Sequence, residues 1–333
     1  MVALVGLVIV GLVLFIVALL AKEFFYYGKL QNIENKHVVI TGGSSGIGKS
    51  AAIIAARLGA HVTIIARDIE KLEAAKNEII HNCKNKDSQK IEYLSVDITQ
   101  SYADVEKALK DCEKSTGPIY MLINCAGTAI CGRIEDISPE SLHKLININF
   151  VGTFYCIKAV VPRMKANREG IIVLTSSQAG LFGLYGYSAY CGTKFAVRGL
   201  AESTAMELSP YGISVTLSLP PDTDTPGYSI EEQTKPLETK LITQSDILVS
   251  ADSVAEKLMK DALAKKFFST LGMDGFVLTI LCSGAAPFAS ICELILQSFL
   301  MGFMRLILAG YLVSFQRIIK GCMKTRDKNK KFE

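Results

Sequence analysis

Charge is scarce in this chain of 333 residues: Asp, Glu, Lys and Arg make up only 20% of it, and mean hydropathy is +0.31. That is too apolar for an ordinary soluble globular domain, so part of the chain is expected in lipid. The net charge is only +4, and no basic stripe interleaved with aromatics occurs, which removes any case for nucleic acid. None of the nine cysteines forms a CxxC pair, and their number is odd. A disulfide framework and a metal site are therefore not expected, and a reducing compartment fits best. Internal repeats and low-complexity linkers are absent as well.

Long apolar runs are what the chain does have. Residues 1–21 carry no charged side chain and precede Lys22 and Lys29. A helix of about 20 residues spans the roughly 30 Å of a hydrocarbon core. The run has no basic residues ahead of it and exceeds a usual signal-peptide core, which favours an uncleaved anchor over a signal peptide. Near the other end, Gly275–Cys292 and Leu294–Gln316 are apolar, interrupted by Pro287 and Arg305. Two short spans, a re-entrant hairpin or an amphipathic pair lying in the interface all fit, so residues 273–318 are expected to form a membrane-associated helical hairpin. The tail, 319–333, is basic and expected on the cytosolic side. Its Lys330 and Lys331 have the spacing of a dilysine signal for retrieval to the endoplasmic reticulum, or else belong to a solvated basic face.

Between these ends the pattern alternates. Short β-branched runs at His37–Thr41, Ala60–Ala66, Ile91–Val96, Ile119–Asn124, Gly170–Thr175 and Ile213–Leu219 are separated by helical periodicity. The helical stretches include Lys71–Ile80, Ala103–Ser115, Glu140–Lys165 and Tyr190–Leu208. Such alternation predicts an α/β fold, a Rossmann-type doubly wound parallel sheet with its ligand crevice at the strand carboxyl ends.

A glycine-rich turn, Thr41-Gly42-Gly43-Ser44-Ser45-Gly46-Ile47-Gly48, follows the first strand and opens a helix. There, backbone N–H groups and the positive helix end can cradle a pyrophosphate. Gly42 permits the turn, Gly46 close approach of the phosphates, and Gly48 close packing of the helix. At the end of the second strand stands Arg67, with Lys71 one helical turn on. An arginine there accommodates a 2′-phosphate, which points to NADPH; Asp68 is read as a helix N-cap.

Tyr190 and Lys194 are four residues apart and share one helical face. A phenol can hand a proton to a carbonyl oxygen, provided its protonation is tuned, and a neighbouring ammonium favours the phenolate. A hydroxyl from Ser176 or Ser177, just upstream, can polarise that oxygen. Successive strand residues face opposite ways, so one of the two serines is expected to point inward.

The TGxxxGIG turn, Asn124-Cys125-Ala126-Gly127, the serine pair and Tyr190-Cys191-Gly192-Thr193-Lys194 together resemble the short-chain dehydrogenase/reductase family over residues 36–265. Cys125 departs from the family's second asparagine. The resemblance implies an NADPH-binding ketoreductase, with Ser177 thirteen residues before the tyrosine as the usual serine. It further implies that Asn149 steadies the lysine and that Lys194 reaches the nicotinamide ribose. Asp97 is implied at the adenine, Asn124 along the cofactor and Thr225 at the carboxamide. Homo-oligomers through the helices flanking Tyr190 are also a family habit. The stretches following Ser177, Pro220–Tyr228 and Thr234–Thr239 resemble the subgroup that reduces long-chain keto-sphingoid bases at the endoplasmic reticulum membrane. A microsomal steroid or retinoid dehydrogenase is the alternative, and a non-catalytic nucleotide-binding scaffold a further one.

Overall fold

The computed structural model describes residues 30–244, 247–288 and 290–329, together with Gly11, Leu14, Phe15 and Ala18. The 1–21 anchor, apart from those four helical residues, and the Lys330–Lys331 pair lie outside the described residues.

The alternation produces β1 (His37–Thr41), α1 (Gly46–Arg57), β2 (His61–Ala66), α2 (Ile69–His81), β3 (Ile91–Ser95), α3 (Tyr102–Thr116) and β4 (Ile119–Asn124). Helix α4 (Pro139–Ile146) passes through a π-helical turn (Asn147–Gly152) into α5 (Thr153–Asn167). Then come β5 (Gly170–Thr175), α6 (Ser188–Leu208) and β6 (Ile213–Ser218), followed by β7 (Thr223–Asp224), α7 (Pro226–Thr234) and α8 (Leu237–Ile242). The chain continues with β8 (Val249–Ser250), α9 (Ala251–Leu263), β9 (Phe268–Ser269), α10 (Gly272–Leu281) and α11 (Ile291–Asn329). Side-chain oxygens of Asp68, Ser101, Ser138 and Ser250 accept N–H groups at the starts of α2, α3, α4 and α9, so local sequence sets these boundaries.

Seven parallel strands form one sheet in the order β3-β2-β1-β4-β5-β6-β9. Strand order reverses between β1 and β4, which opens a crevice beyond their carboxyl ends. Alternate strand residues feed two cores. Val38, Ile40, Val62, Ile64, Met121 and Ile123 pack with α1, α2 and α9. Val39, Ile65, Leu122, Ile172 and Leu174 pack with α3, α5 and α6 on the other face. Burial on both faces explains why these strands read as continuous apolar runs.

The apolar C-terminal region forms a packed pair of helices, and of the arrangements open to it two short spans is the one the structure does not adopt. Helix α10 has only 10 residues, too short to cross a bilayer at about 1.5 Å per residue. Ile280 is buried, while Leu278, Cys282 and Ala286 pack on the catalytic core. The carbonyls of Cys282 and Ser283 accept hydrogen bonds from Arg198 of α6 at 2.7 and 3.1 Å. Pro287 lies in the non-helical segment that follows. Helix α11 is long enough to span: the most apolar 18-residue stretch within Ile291–Asp327 has a mean hydropathy of 1.8, and only 6% of that stretch is buried. It packs on α10 through Leu296 and Leu300, and its far end returns to α8 through an Arg326–Glu238 ion pair. The segment from Pro139 to Asn167 also passes on length and hydropathy, but it covers the sheet.

His37 opens β1 fully buried. Its Nδ1 donates to the Gly117 carbonyl at 2.8 Å, and its Nε2 accepts from the Thr63 hydroxyl at 2.8 Å. Those partners suit the neutral ring, and burial pushes its pKa down to about 4. The contribution to stability is complete above about pH 6.5 and is lost as pH falls toward 4. It amounts to about 3 kcal/mol. Acid titration of unfolding should show this loss, and His37→Gln should flatten it.

Candidate active site

Backbone geometry builds the cradle at the end of β1. Gly42 has φ +69, and a Cβ there would lie 2.8 Å from the amide nitrogen of Ala126. Gly46 has φ +53, and its α-carbon faces the Thr225 methyl. A Cβ on Gly48 would strike the Gly42 carbonyl, so this glycine brings α1 against the turn itself. Ser44, Ser45 and Ile47 are half-buried in the same loop. Ser45 caps α1 by position only, with no side-chain bond to the helix, and no acidic residue lies in the first turn. The positive end of α1 is therefore left open toward an anion.

Arg67 is exposed just after β2 and forms no ion pair among the described residues. Lys71 sits one turn into α2 and pairs with Asp68 at 3.3 Å, while the same aspartate accepts the Lys71 amide at 3.1 Å as the helix cap. Asp97, beyond β3, uses one oxygen on the amide and hydroxyl of Thr99. The open helix end and the unpaired arginine 20 residues on fit a dinucleotide with a pyrophosphate and a 2′-phosphate.

Asn124 departs from its expected place. It is 2% exposed, its amide donates to the Val173 carbonyl at 3.2 Å, and its Oδ1 is unpaired. This side chain braces β4 against β5 within the sheet and offers the crevice no surface. Thr225 caps α7 by accepting the Tyr228 amide at 3.2 Å, with its methyl beside Gly46.

Tyr190 and Lys194 lie on the first turns of α6, with the lysine Nζ 5.5 Å from the tyrosine ring centre. Lys194 is 5% exposed and donates to the Thr175 carbonyl at the end of β5, at 3.0 Å. Burial pulls its pKa down to about 8. Tyr190 differs from the expected lowered phenol: burial first, then the Glu231 carboxylate, raise its pKa, opposed by a hydrogen bond with Ser177.

The two serines are placed differently. Ser176 is buried, and its hydroxyl donates to the Lys194 carbonyl at 2.9 Å. Ser177 accepts the Ala179 amide at 3.1 Å and faces Tyr190. Asn149 lies in the π-helical turn, where its amide donates to the Thr128 carbonyl and the Thr193 hydroxyl, both at 3.0 Å. Its Oδ1 accepts the Thr128 amide at 2.9 Å. A π-helical turn inside a longer helix re-aims side chains and often marks a functional site. Sequence periodicity alone read this region as one uninterrupted helix.

Three further residues join the site without a sequence signal. Tyr187 packs its ring 5.7 Å from that of Tyr190 and donates its hydroxyl to Glu231 on α7. Cys131 packs beside both tyrosines.

The chain belongs to the short chain dehydrogenase family, whose model matches residues 36–235. Among curated relatives it is 44% identical to mouse 3-ketodihydrosphingosine reductase over 318 residues, 96% of each chain. It is 46% identical to the bovine protein of that name over 292 residues, 88% of each, and 44% identical to zebrafish 3-dehydrosphinganine reductase over 90% of each. Levodione reductase shares the fold with a TM-score of 0.64 at 24% identity, covering 72% of this chain and 96% of that one. A short-chain dehydrogenase from Sphingobium yanoikuyae in complex with NADPH is 28% identical, with a TM-score of 0.62, covering 71% of this chain and 87% of its own.

Serine substitutions separate the two hydroxyls. Ser177→Ala should lower kcat by roughly a hundredfold or more. Ser176→Ala should keep most activity and lose about 1 kcal/mol of stability. Steady-state rates and denaturant unfolding of both variants check this assignment, and equal catalytic losses would refute it.

Proposed function

We propose that this chain reduces 3-ketodihydrosphingosine to sphinganine with NADPH, a step of sphingolipid biosynthesis. The observation that carries this reading is the extent of the likeness. It runs through 96% of the mouse reductase, far beyond the family region at 36–235. A cleft also joins the catalytic domain to the C-terminal helix. A cavity of about 520 Å³ is walled by Cys131, Thr234 and Leu237 on the catalytic side and by Cys322, Thr325 and Arg326 of α11 on the other. Arg133, Asp136 and Glu238 also line it, so the cleft is polar where it meets the basic end of α11.

In this scheme residues 36–265 form the catalytic domain. The Gly42–Gly48 turn, with Ser44, Ser45 and Ile47, holds the pyrophosphate, and Arg67 and Lys71 meet the 2′-phosphate. Asp97 lies at the adenine, Lys194 at the nicotinamide ribose and Thr225 at the carboxamide. Bound NADPH supplies the hydride. Ser177 donates a hydrogen bond to the ketone oxygen as negative charge grows on it. Tyr190 delivers its phenolic proton to that oxygen. The Lys194 ammonium beside the ring stabilises the phenolate left behind, while Asn149 holds the neighbouring backbone of Thr128 in register.

The membrane layout is also part of the proposal. Residues 1–21 serve as an uncleaved anchor, the apolar α10–α11 region (273–318) associates with the bilayer, and the basic tail 319–333 stays on the cytosolic side. The catalytic domain then faces the cytosol at the endoplasmic reticulum. Exposed Phe299, Phe303, Leu306 and Val313 on α11 support lipid contact. Homo-oligomerisation through helices flanking Tyr190 follows the family habit.

The decisive experiment follows NADPH oxidation by membranes containing the full chain, with 3-ketodihydrosphingosine as substrate and the product identified by mass. Sphinganine should form, and Tyr190→Phe should abolish turnover while NADPH binding persists. A Tyr190→Phe variant with most of its activity would remove the phenol from the donor role. Arg67→Ala should raise KM for NADPH roughly ten- to a hundredfold and leave that for NADH nearly unchanged. Equal effects on the two cofactors would sink the 2′-phosphate role.

A further inference from the structure

We propose that Glu231 receives the ammonium group of the substrate, forming an amine subsite beside the proton donor. The proposal rests on the reading of the substrate as a long-chain α-amino ketone. Glu231 lies on the last turn of α7, far in sequence from Tyr190. Its Oε1 accepts the hydroxyl of Tyr187, whose ring packs against that of Tyr190 at 5.7 Å between centres. The Glu231 side chain is 13% exposed. Its charge reaches both members of the catalytic pair, holding the proton on Tyr190 and favouring the charged form of Lys194.

By itself this placement opposes the reaction. When Tyr190 gives up its proton, a phenolate and a carboxylate face each other across a mostly buried space. A positive charge arriving with the substrate removes that conflict. In an α-amino ketone the amine sits on the carbon next to the carbonyl. An ammonium there is necessarily close to the oxygen that Tyr190 protonates. The surrounding Cys131, Cys191, Ala179 and Leu184 are apolar, which strengthens an ion pair formed between them.

Lys235 fills this role only in part. Its buried Nζ is shared with Asp222 at 3.2 Å and with Glu232, and Glu231 is the most distant of its three carboxylates at 3.6 Å. A neutral ketone leaves Glu231 with only its share of the Lys235 charge at the moment of proton transfer, so the subsite selects for the amine as well as binding it.

The test compares kcat/KM of the full-length membrane enzyme, with NADPH, for 3-ketodihydrosphingosine and for the des-amino ketone of the same chain length. The wild type, Glu231→Gln and Glu231→Asp are measured side by side, with NADPH binding by fluorescence as a check on folding. Wild type should favour the amino ketone. Glu231→Gln should lower kcat/KM for the amino ketone roughly ten- to a hundredfold, chiefly through KM, with a smaller loss on the des-amino ketone. The preference then collapses, and Glu231→Asp recovers part of it. Equal losses on both ketones would make Glu231 a structural support for Tyr187 and overturn the subsite, as would a wild type without preference. A wild type that is inert toward the amino ketone yet reduces other ketones would overturn the substrate reading itself.

Discussion

Two reciprocal hydrogen bonds between the end of β5 and the first turns of α6 hold the site together. Lys194 on the helix donates its ammonium to the Thr175 carbonyl on the strand. Ser176, next along the strand, donates its hydroxyl back to the Lys194 carbonyl. Both donors are buried, so water cannot replace either bond, and breaking one leaves a polar group without a partner. The next residues outward are Ser177 and, one turn back on the helix, Tyr190. They face each other just beyond this clamp. Ser176 thus serves the site although its own hydroxyl is spent within the protein.

The same helix ties the chemistry to the apolar C-terminal region. Arg198, one turn beyond Lys194, pairs with Glu202 at 2.8 Å and hydrogen-bonds the carbonyls that end α10. Gly275 of α10 has Thr270 and Gln178 so close that a side chain would collide with them, and Gln178 directly follows Ser177. At its other end α11 closes one wall of a cavity on the catalytic domain through Cys322, Thr325 and Arg326. An apolar helix thus meets the catalytic body near both of its ends.

Much of this was legible along the chain. The β1 turn, the cap at Asp68 and the Tyr190–Lys194 spacing are local signals, and each appears where periodicity and turn chemistry expect it. The misread regions are those where distant contacts prevail over local pattern. The 140–165 stretch has the hydrophobic period of one helix, yet a π-helical turn interrupts it around Asn149, whose side chain is satisfied by Thr128 and Thr193. The first C-terminal apolar run had the composition of a span, but α10 finds its burial against Leu296 and the catalytic core. Strand β9 has two residues and no period to read; it exists because β6 offers an open edge.

Sequence by itself determined the fold class, the glycine-rich turn and the Tyr190–Lys194 pair on one helical face, because these depend on glycines and on residues within one or two helical turns. Tertiary structure alone decided which serine faces the phenol. It also set Asn124 inside the sheet and brought Glu231 and Tyr187 beside Tyr190. Those outcomes depend on which buried donor finds which acceptor once strands and helices are packed, a choice that spacing along the chain does not encode.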